Sequence, residues 1–398
     1  MNIGIVTTWF ERGAAVVSKQ YMESLQDKHN VFIYARGGES YAKGNPDWDF
    51  PNVTWGAKTF FQTNGTPISK KDFKKWIKQN SIDILFFNEQ QWWIPVIWAK
   101  EWGITVGSYI DYYTEETVPF FALYDFLICN TKRHYSAFDW HINCFYVPWG
   151  TNIDLYIPNN KIKDQDKLVF FNSAGHNPDR KGVGPLLLAF DKLSSDNVKL
   201  IIHTQVNLKK FYPELSDIIE KLFNDNKLEV IKETIGAPGI YHLADVYCYI
   251  SKLDGIGLTV PEAISCGLPV IVPNHPPMNE FVQDAVNGKL VEIKKQYCRK
   301  DAYYWPQIEV SEKSLLECLI YYVDNMEKIK KLKIDSRNYA IKNLNWNDRK
   351  KELENIFELV KHTSIDIQLV KKIKFYETKV FLQNLYMLPV RIYKNLKR

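Results

Sequence analysis

The chain has 398 residues, 45% of them hydrophobic and 24% charged, with a formal net charge of +5. That length accommodates about two domains of the usual ~100–200 residues, and the composition is that of a globular protein. The charge is unevenly spread: residues 361–398 hold nine Lys or Arg and two acids, which leaves 1–360 at −2. No nucleic-acid partner is therefore expected of the folded body, and the basic tail is expected to have a separate electrostatic task.

The opening residues MNIGIVTTWF contain no basic segment, long apolar run or small-residue cleavage site. They read as a first buried strand rather than a secretory leader. No uninterrupted apolar run reaches the ~20 residues of a spanning helix. The six cysteines form no C-x-x-C pair or His-Cys cluster, and Cys129 and Cys248 lie in apolar runs, so small core residues are expected rather than a zinc site. A cytoplasmic protein fits these features.

In chain order, short β-branched apolar runs predict strands at 3–7, 31–34, 82–87, 105–109, 126–129 and 144–147. Between them, helices are predicted at 14–27, 70–79, 95–101 and 132–138. Continuous apolar strands separated by helices indicate a parallel sheet covered on both faces. The segment 147–160, with two prolines and a glycine, reads as a linker, and the rhythm then restarts. Strands are predicted at 168–172, 199–203, 228–231, 246–249 and 269–272, and helices at 184–193, 217–223 and 261–265. Near the end Trp346, Leu353, Ile356, Phe357 and Val360 recur at helical spacing. That stripe must dock on the second domain or cross back to the first. The expected organisation is 1–150, 151–343, a helix over 344–361 and a basic aromatic tail over 362–398.

The most informative stretch is 251–274, SKLDGIGLTVPEAISCGLPVIVPN. It has the form of a glycine loop, a short helix, a glycine stop and a strand. Gly255 and Gly257 allow a backbone to run close to a ligand. Pro261 suits an early helical position, and Gly267 suits a left-handed residue just past the helix end. Phosphate is favoured at such a helix start. Asp254 and Glu262 are acceptors suited to the paired hydroxyls of a sugar or ribose; Glu262 could equally cap the helix or form an ion pair.

The run DGIGLTVPEAISCGLPVI, 254–271, closely resembles the E-x7-E signature of family 4 glycosyltransferases, usually EGFGLxxxEAMACGxPVI. The resemblance implies an α/β GT-B fold of two Rossmann-like doubly wound domains facing a cleft, with a C-terminal crossover helix. It also implies retaining chemistry without a metal or other cofactor. Asp254 then takes the donor-sugar role, Glu262 the ribose role, and Gly255, Ile256, Gly257 and Leu258 the loop around the donor. Asp in place of the first Glu shortens the reach by one methylene. GHNPDRKG, 175–182, resembles the family's diphosphate site, with Lys181 on the family lysine and His176 where the family has Arg. Either His176 or Arg180 could supply the missing charge. Gly13, in WFERGAAVV, occupies the place of the family's N-terminal glycine loop. Asp111, in VGSYID, remains from a His-Asp pair whose His, a contact of the donor sugar near its reacting carbon, is Ile110 here; Asp111 or Tyr109 could take that part, or Asp111 could be a helix cap or a core-edge acceptor. Weaker echoes are VPWGTNID at 147–154, YHLADV at 241–246, and Glu280, Val282, Asn287 and Gly288.

The expected partners are thus a nucleotide-sugar donor and a glycan or glycolipid acceptor. Among the aromatics of the first half, Trp92, Trp93, Tyr109, Tyr112, Tyr113, Phe120 and Phe121, Tyr112 or Tyr113 is a candidate acceptor contact. The two D-x-D triplets, Asp47 with Asp49 and Asp164 with Asp166, lie in polar stretches and are not expected to hold a metal. The competing readings are a non-catalytic GT-B protein that scaffolds a partner transferase, and a nucleotide-sugar epimerase or phosphorylase of related fold. The tail from Lys371, KKIKFYETKVFLQNLYMLPVRIYKNLKR, reads either as a segment for an anionic membrane surface at the inner face or as an extra helix on the first domain. Pro389 is expected to end or kink any helix there.

Overall fold

The described residues of the computed structural model are 1–37, 40–59, 65–159 and 167–396. The chain divides into two compact units. The first comprises Met1–Asn130, His134–Pro148 and Arg349–Arg398, and the second Thr131–Arg133 and Trp149–Asp348.

The first part of the chain runs β1 (Asn2–Thr7), α1 (Gly13–Leu25), β2 (Asn30–Ala35), β3 (Val53–Trp55), α2 (Lys70–Gln79), β4 (Ile84–Asn88), α3 (Ile94–Glu101), β5 (Thr105–Tyr109), β6 (Phe126–Cys129), α4 (Lys132–Phe138) and β7 (Cys144–Tyr146). Its strands form one sheet in the order β3-β2-β1-β4-β5-β6-β7, and every pairing is parallel. The ILFFN of β4 is buried throughout, as a parallel strand covered on both faces must be. The edge strand β3 was not predicted: it is three residues long and only half-buried, so it lacks an apolar run.

The aromatic cluster is mostly core, which corrects the expectation of an acceptor contact at Tyr113. Trp93, Tyr109, Tyr113, Phe120 and Phe121 are all buried. The Tyr113 hydroxyl meets His134 Nδ1 at 2.9 Å, and its ring packs on Phe121 and Phe138. Large rings contribute most when removed from water, and only Trp92 and Tyr112 of this set stay half-buried.

The second unit runs β8 (Leu168–Gly175), α5 (Val183–Asp191), β9 (Val198–Thr204), α6 (Leu208–Phe211), α7 (Ser216–Asn224), β10 (Leu228–Ile231), β11 (Val246–Cys248), α8 (Thr259–Ser265), β12 (Val270–Pro273), β13 (Gly288–Val291), β14 (Ile293–Tyr297), β15 (Gln307–Val310), α9 (Glu312–Asp324) and α10 (Ile329–Asn343). Six strands form a parallel sheet in the order β10-β9-β8-β11-β12-β13. The antiparallel hairpin β14-β15 stands apart from it. Leu186, Leu187 and Phe190 of α5 and Leu315 and Leu319 of α9 bury against this sheet.

The chain returns to the first unit within α11 (Asn347–Leu359). The predicted apolar stripe is shared out: Trp346 packs on Trp149 in the second unit with ring centroids 4.7 Å apart, while Phe357 packs on Phe86 and Phe126 in the first, both at 5.3 Å. The following segment is pinned by a buried ion pair. Lys100 Nζ lies 2.6 Å from Asp125 Oδ1 and donates to Thr363 O at 2.8 Å, and Thr363 N donates to Asp125 at 2.7 Å. The tail is α12 (Ile367–Leu396), and Pro389 lies inside it. Of the two expected outcomes, an end or a kink, the end does not occur: one lost backbone bond costs about 3 kcal/mol, which a 30-residue helix can absorb. No helix of the described residues is long and apolar enough to cross a membrane.

Candidate active site

Strand order in the second unit reverses between β8 and β11. Open parallel sheets hold ligands beyond the carboxyl ends of their strands at such a point. Two loops leave there, 176–182 between β8 and α5 and 249–258 between β11 and α8. They are laced together. Lys252 N donates to Arg180 O at 2.8 Å, the Arg180 guanidinium donates to Leu253 O at 2.9 Å, and Asn172 Nδ2 joins the strand ends through Cys248 O at 2.7 Å.

The first loop is preformed. The Asn177 side chain accepts from Arg180 N at 3.0 Å, and Asp179 O accepts from Gly182 N at 3.1 Å. Gly182 has φ of +69°, and a Cβ there would fall 2.0 Å from Ile250 O. Only glycine brings the start of α5 this close to β11. The loop thereby aims Arg180 and Lys181 at the second loop, while His176 stands exposed.

Asp254 is where the loops converge. Its Oδ1 accepts from Arg180 at 2.8 Å and Lys181 at 3.1 Å; its Oδ2 accepts from Lys181 at 3.2 Å, Tyr249 at 2.7 Å and Ser251 at 2.5 Å. Lys181 Nζ also donates to the Tyr249 hydroxyl and lies 4.5 Å from that ring's centroid. A carboxylate offers about four acceptor directions, so these contacts fill it. Burial alone would raise the Asp254 pKa, but the Lys181 and Arg180 charges and the two hydroxyls hold it below the ordinary carboxylate range. Burial acts the other way on Lys181: with help from Arg180, and against the pull of Asp254, it brings the ammonium down to about 8. Burial also pushes Tyr249 well up, so it stays a neutral phenol that donates to Asp254.

Glu262 sits half-buried in the first turn of α8. Its Oε2 accepts from the Tyr241 hydroxyl at 2.6 Å. The helix is stopped as predicted: Gly267 has φ of +80°, Gly267 N donates to Ile264 O at 3.0 Å and Leu268 N to Ala263 O at 2.9 Å. This is the Schellman arrangement. In the connecting loop Gly257 has φ of +82°, Gly255 and Leu258 are half-buried, and Ile256 is buried.

The structure therefore gathers Asp254, Arg180, Lys181 and the 255–258 loop at one sheet end, with Glu262 following on α8. Gly13 and Asp111 belong to the first unit. Gly13 is the first residue of α1, and Asp111 lies half-buried just past β5. Ile110 is fully buried and donates its N–H to Ile128 O. Of the other echoes, Asn287 is a buried turn residue that accepts from Gln283 N at 2.7 Å and donates to Phe281 O at 2.9 Å. Glu280 accepts from Lys132 N and Arg133 N, at 2.6 and 3.0 Å. Asp49 is occupied by Trp55 Nε1 and Gly44 N, at 2.6 and 2.7 Å, and the Asp164/Asp166 triplet lies outside the described residues. Among the described residues no group of three or more His, Cys, Asp or Glu is placed to hold a metal ion.

Sequence reasoning missed Tyr249, Ser251 and Tyr241 as partners of the two carboxylates. It also missed Arg133, which donates to Pro276 O at 2.7 Å and to Asp254 O. Tyr249 reads as the end of a strand, Tyr241 reads only as part of the YHLADV echo with no role attached, and Arg133 lies far from the signature in sequence.

Residues 153–298 match the model of the family Glycosyl transferases group 1, and the Asp254 cluster and Glu262 lie within that segment. An uncharacterized glycosyltransferase of Haemophilus influenzae is 26% identical over 147 residues, which is 35% of this chain and 40% of that protein. The chain thus matches about two-fifths of the length of that relative. Two solved structures align with nearly the whole chain. The Anabaena protein Alr3699/HepE, in complex with UDP and glucose, has a TM-score of 0.70 at 15% identity, covering 90% of this chain and 99% of that one. A glycosyltransferase of Rickettsia africae has a TM-score of 0.69 at 15% identity, with the same coverage of 90% and 99%. The two parallel α/β units have the GT-B fold.

Proposed function

We propose that this chain is a retaining glycosyltransferase of the family 4 kind. It moves a sugar from a UDP- or GDP-linked donor to the hydroxyl of a glycan or glycolipid acceptor, in surface polysaccharide or glycolipid assembly. The observation that carries the reading is the Asp254–Lys181–Arg180 cluster at the β8/β11 crossing, inside the segment that matches the family.

Lys181 and Arg180, with the backbone of 255–258, bind the donor diphosphate, and His176 stands close by in sequence, exposed. Glu262 takes the ribose, its carboxylate oriented by Tyr241. Because the acceptor directions of Asp254 are filled in the free protein, the sugar hydroxyls need a partner to leave. Lys181 is that partner: as the diphosphate arrives, its ammonium turns from Asp254 to the phosphate oxygens, and Asp254 becomes available to orient the sugar. Fixed charges that meet the departing diphosphate supply the main electrostatic stabilisation. The bond from the sugar carbon to the diphosphate oxygen breaks, the acceptor oxygen bonds to the same face, and a donor phosphate oxygen takes the acceptor proton. Asp111 of the first unit is assigned to the donor sugar and Gly13 to the donor phosphate or acceptor. No metal is needed in this scheme, since Lys181 and Arg180 provide the positive charge. The protein works in the cytoplasm, at the inner face of a membrane.

The test is a screen of UDP-, GDP- and other nucleotide sugars in excess EDTA, read by calorimetry or thermal stabilisation. At least one should bind the wild type, and Lys181→Met should weaken it. If no nucleotide sugar binds, or binding appears only with added Mg²⁺ or Mn²⁺, the reading is wrong.

A further inference from the structure

The helix α12 uses its two sides for different purposes. Val370, Ile373 and Glu377 are buried on the first unit. Glu377 Oε1 accepts from Trp93 N at 2.7 Å, and the Tyr376 ring lies 5.2 Å from Phe120. Lys374 and Lys379 lie 3.6 Å from Glu101 and Glu116 at the border of this contact. The packing expectation for the tail is therefore met on that side.

The other side is apolar and uncovered. Phe375 is 76% exposed, Leu382 57% and Tyr386 82%. Together with Lys371 they follow the spacing i, i+4, i+11 and i+15, which keeps them on one helical stripe. Leu385 is exposed beside them. Lys371 and Lys372 lie at one end of the stripe, exposed and without an ion pair among the described residues. Past Tyr386 the sequence goes on to include Arg391, Lys394, Lys397 and Arg398. Glu377 is the one acid between Ile367 and Arg398, and its carboxylate is turned inward onto Trp93.

We infer that this stripe of α12 is an interfacial face that lies on an anionic lipid surface. It rests on the inner-face location proposed above and not on the donor chemistry. The helix is 30 residues long, or about 45 Å at ~1.5 Å per residue, yet no window of it is apolar enough to span. A long helix with exposed aromatic and aliphatic residues flanked by cations, held down on its opposite side by protein, suits the plane of the interface. The charge selects the occupant. The segment 371–398 holds eight Lys or Arg and one acid, so a second copy would set like charge against like, whereas anionic headgroups complement it. Each basic residue near such a surface strengthens binding by about fivefold.

The test is cosedimentation of the full chain with vesicles of phosphatidylcholine alone or of phosphatidylcholine mixed with the anionic lipid phosphatidylglycerol. Wild type should pellet with the anionic vesicles, lose that binding in high salt, and remain with the supernatant for neutral vesicles. Phe375→Ser/Leu382→Ser/Tyr386→Ser should weaken binding by at least about tenfold. Lys371→Glu/Lys372→Glu should weaken it by about 25-fold or more. Both variants should keep the wild-type circular dichroism and nucleotide-sugar binding. Wild-type levels of pelleting by both folded variants, or no pelleting by the wild type, overturns the inference while donor binding still reports separately on the site. A wild-type dimer that the triple variant converts to monomer also overturns it, by making a second copy the occupant.

Discussion

Replacing Lys181 by Met removes the charge that the two loops of the second unit are built to present. The wild-type ammonium is brought to about 8 by burial, so it is mostly charged at pH 7 and mostly neutral at pH 9. A diphosphate recruits the charged form and raises its pKa on binding. Donor affinity should then be flat below pH 8 and fall as pH rises, by up to about tenfold per unit, until the pKa of the bound form is passed. At pH 7 the lost charged hydrogen bond is worth about 1.5–3 kcal/mol, which raises the donor Kd by about 10- to 150-fold. Calorimetry with an intact nucleotide sugar between pH 7 and 9 measures both effects, because its diphosphate does not titrate there. The wild type should weaken above pH 8 and take up a proton on binding; Lys181→Met should be weak and flat. Equal pH slopes in the two proteins would refute the assignment of the titrating group, and equal affinities at pH 7 would refute the diphosphate contact.

Glu262→Ala should raise the donor Kd by at least about tenfold without unfolding, measured by the same calorimetry with a melting curve as control; unchanged affinity for every bound donor would remove it from the site. Tyr241→Phe should produce a smaller loss that disappears with a 2′,3′-dideoxyribose donor, since the phenol acts through Glu262; an equal loss with both donors would leave Tyr241 a packing role. Asp125→Asn leaves Lys100 buried beside a neutral group, and should lower unfolding free energy by about 3–5 kcal/mol in denaturant titration with donor affinity unchanged; a cost below about 1 kcal/mol would show that the pair does not pin the 360–366 return.

The parallel strands were legible because burial on both faces forces continuous apolar runs. The stretches 105–109 and 126–129 read directly as β5 and β6. The α8 unit was legible because its stop glycine is dictated by backbone geometry at Gly267. Elements that carry polar surface were not. The IKKQY of β14 exposes its middle residues and has no apolar pattern, and α9 and α10 follow it in a stretch left unassigned. At the site, Asp254, Lys181 and Arg180 could be named from spacing and resemblance. Their partners could not, because Tyr249 hydrogen-bonds through the end of a strand whose residues otherwise look like core. The filled state of Asp254 follows from two loops meeting more than 70 residues apart in sequence, which no local pattern encodes.

The most direct test of the account is release of nucleoside diphosphate from the bound donor in excess EDTA, with and without acceptor glycans, for the wild type and Asp254→Asn. The wild type should give metal-independent release, stimulated by an acceptor and accompanied by a new glycosidic product of retained configuration, with a loss of at least about a hundredfold in Asp254→Asn. Donor binding by the wild type with no release under any acceptor, or equal release by Asp254→Asn, would contradict it.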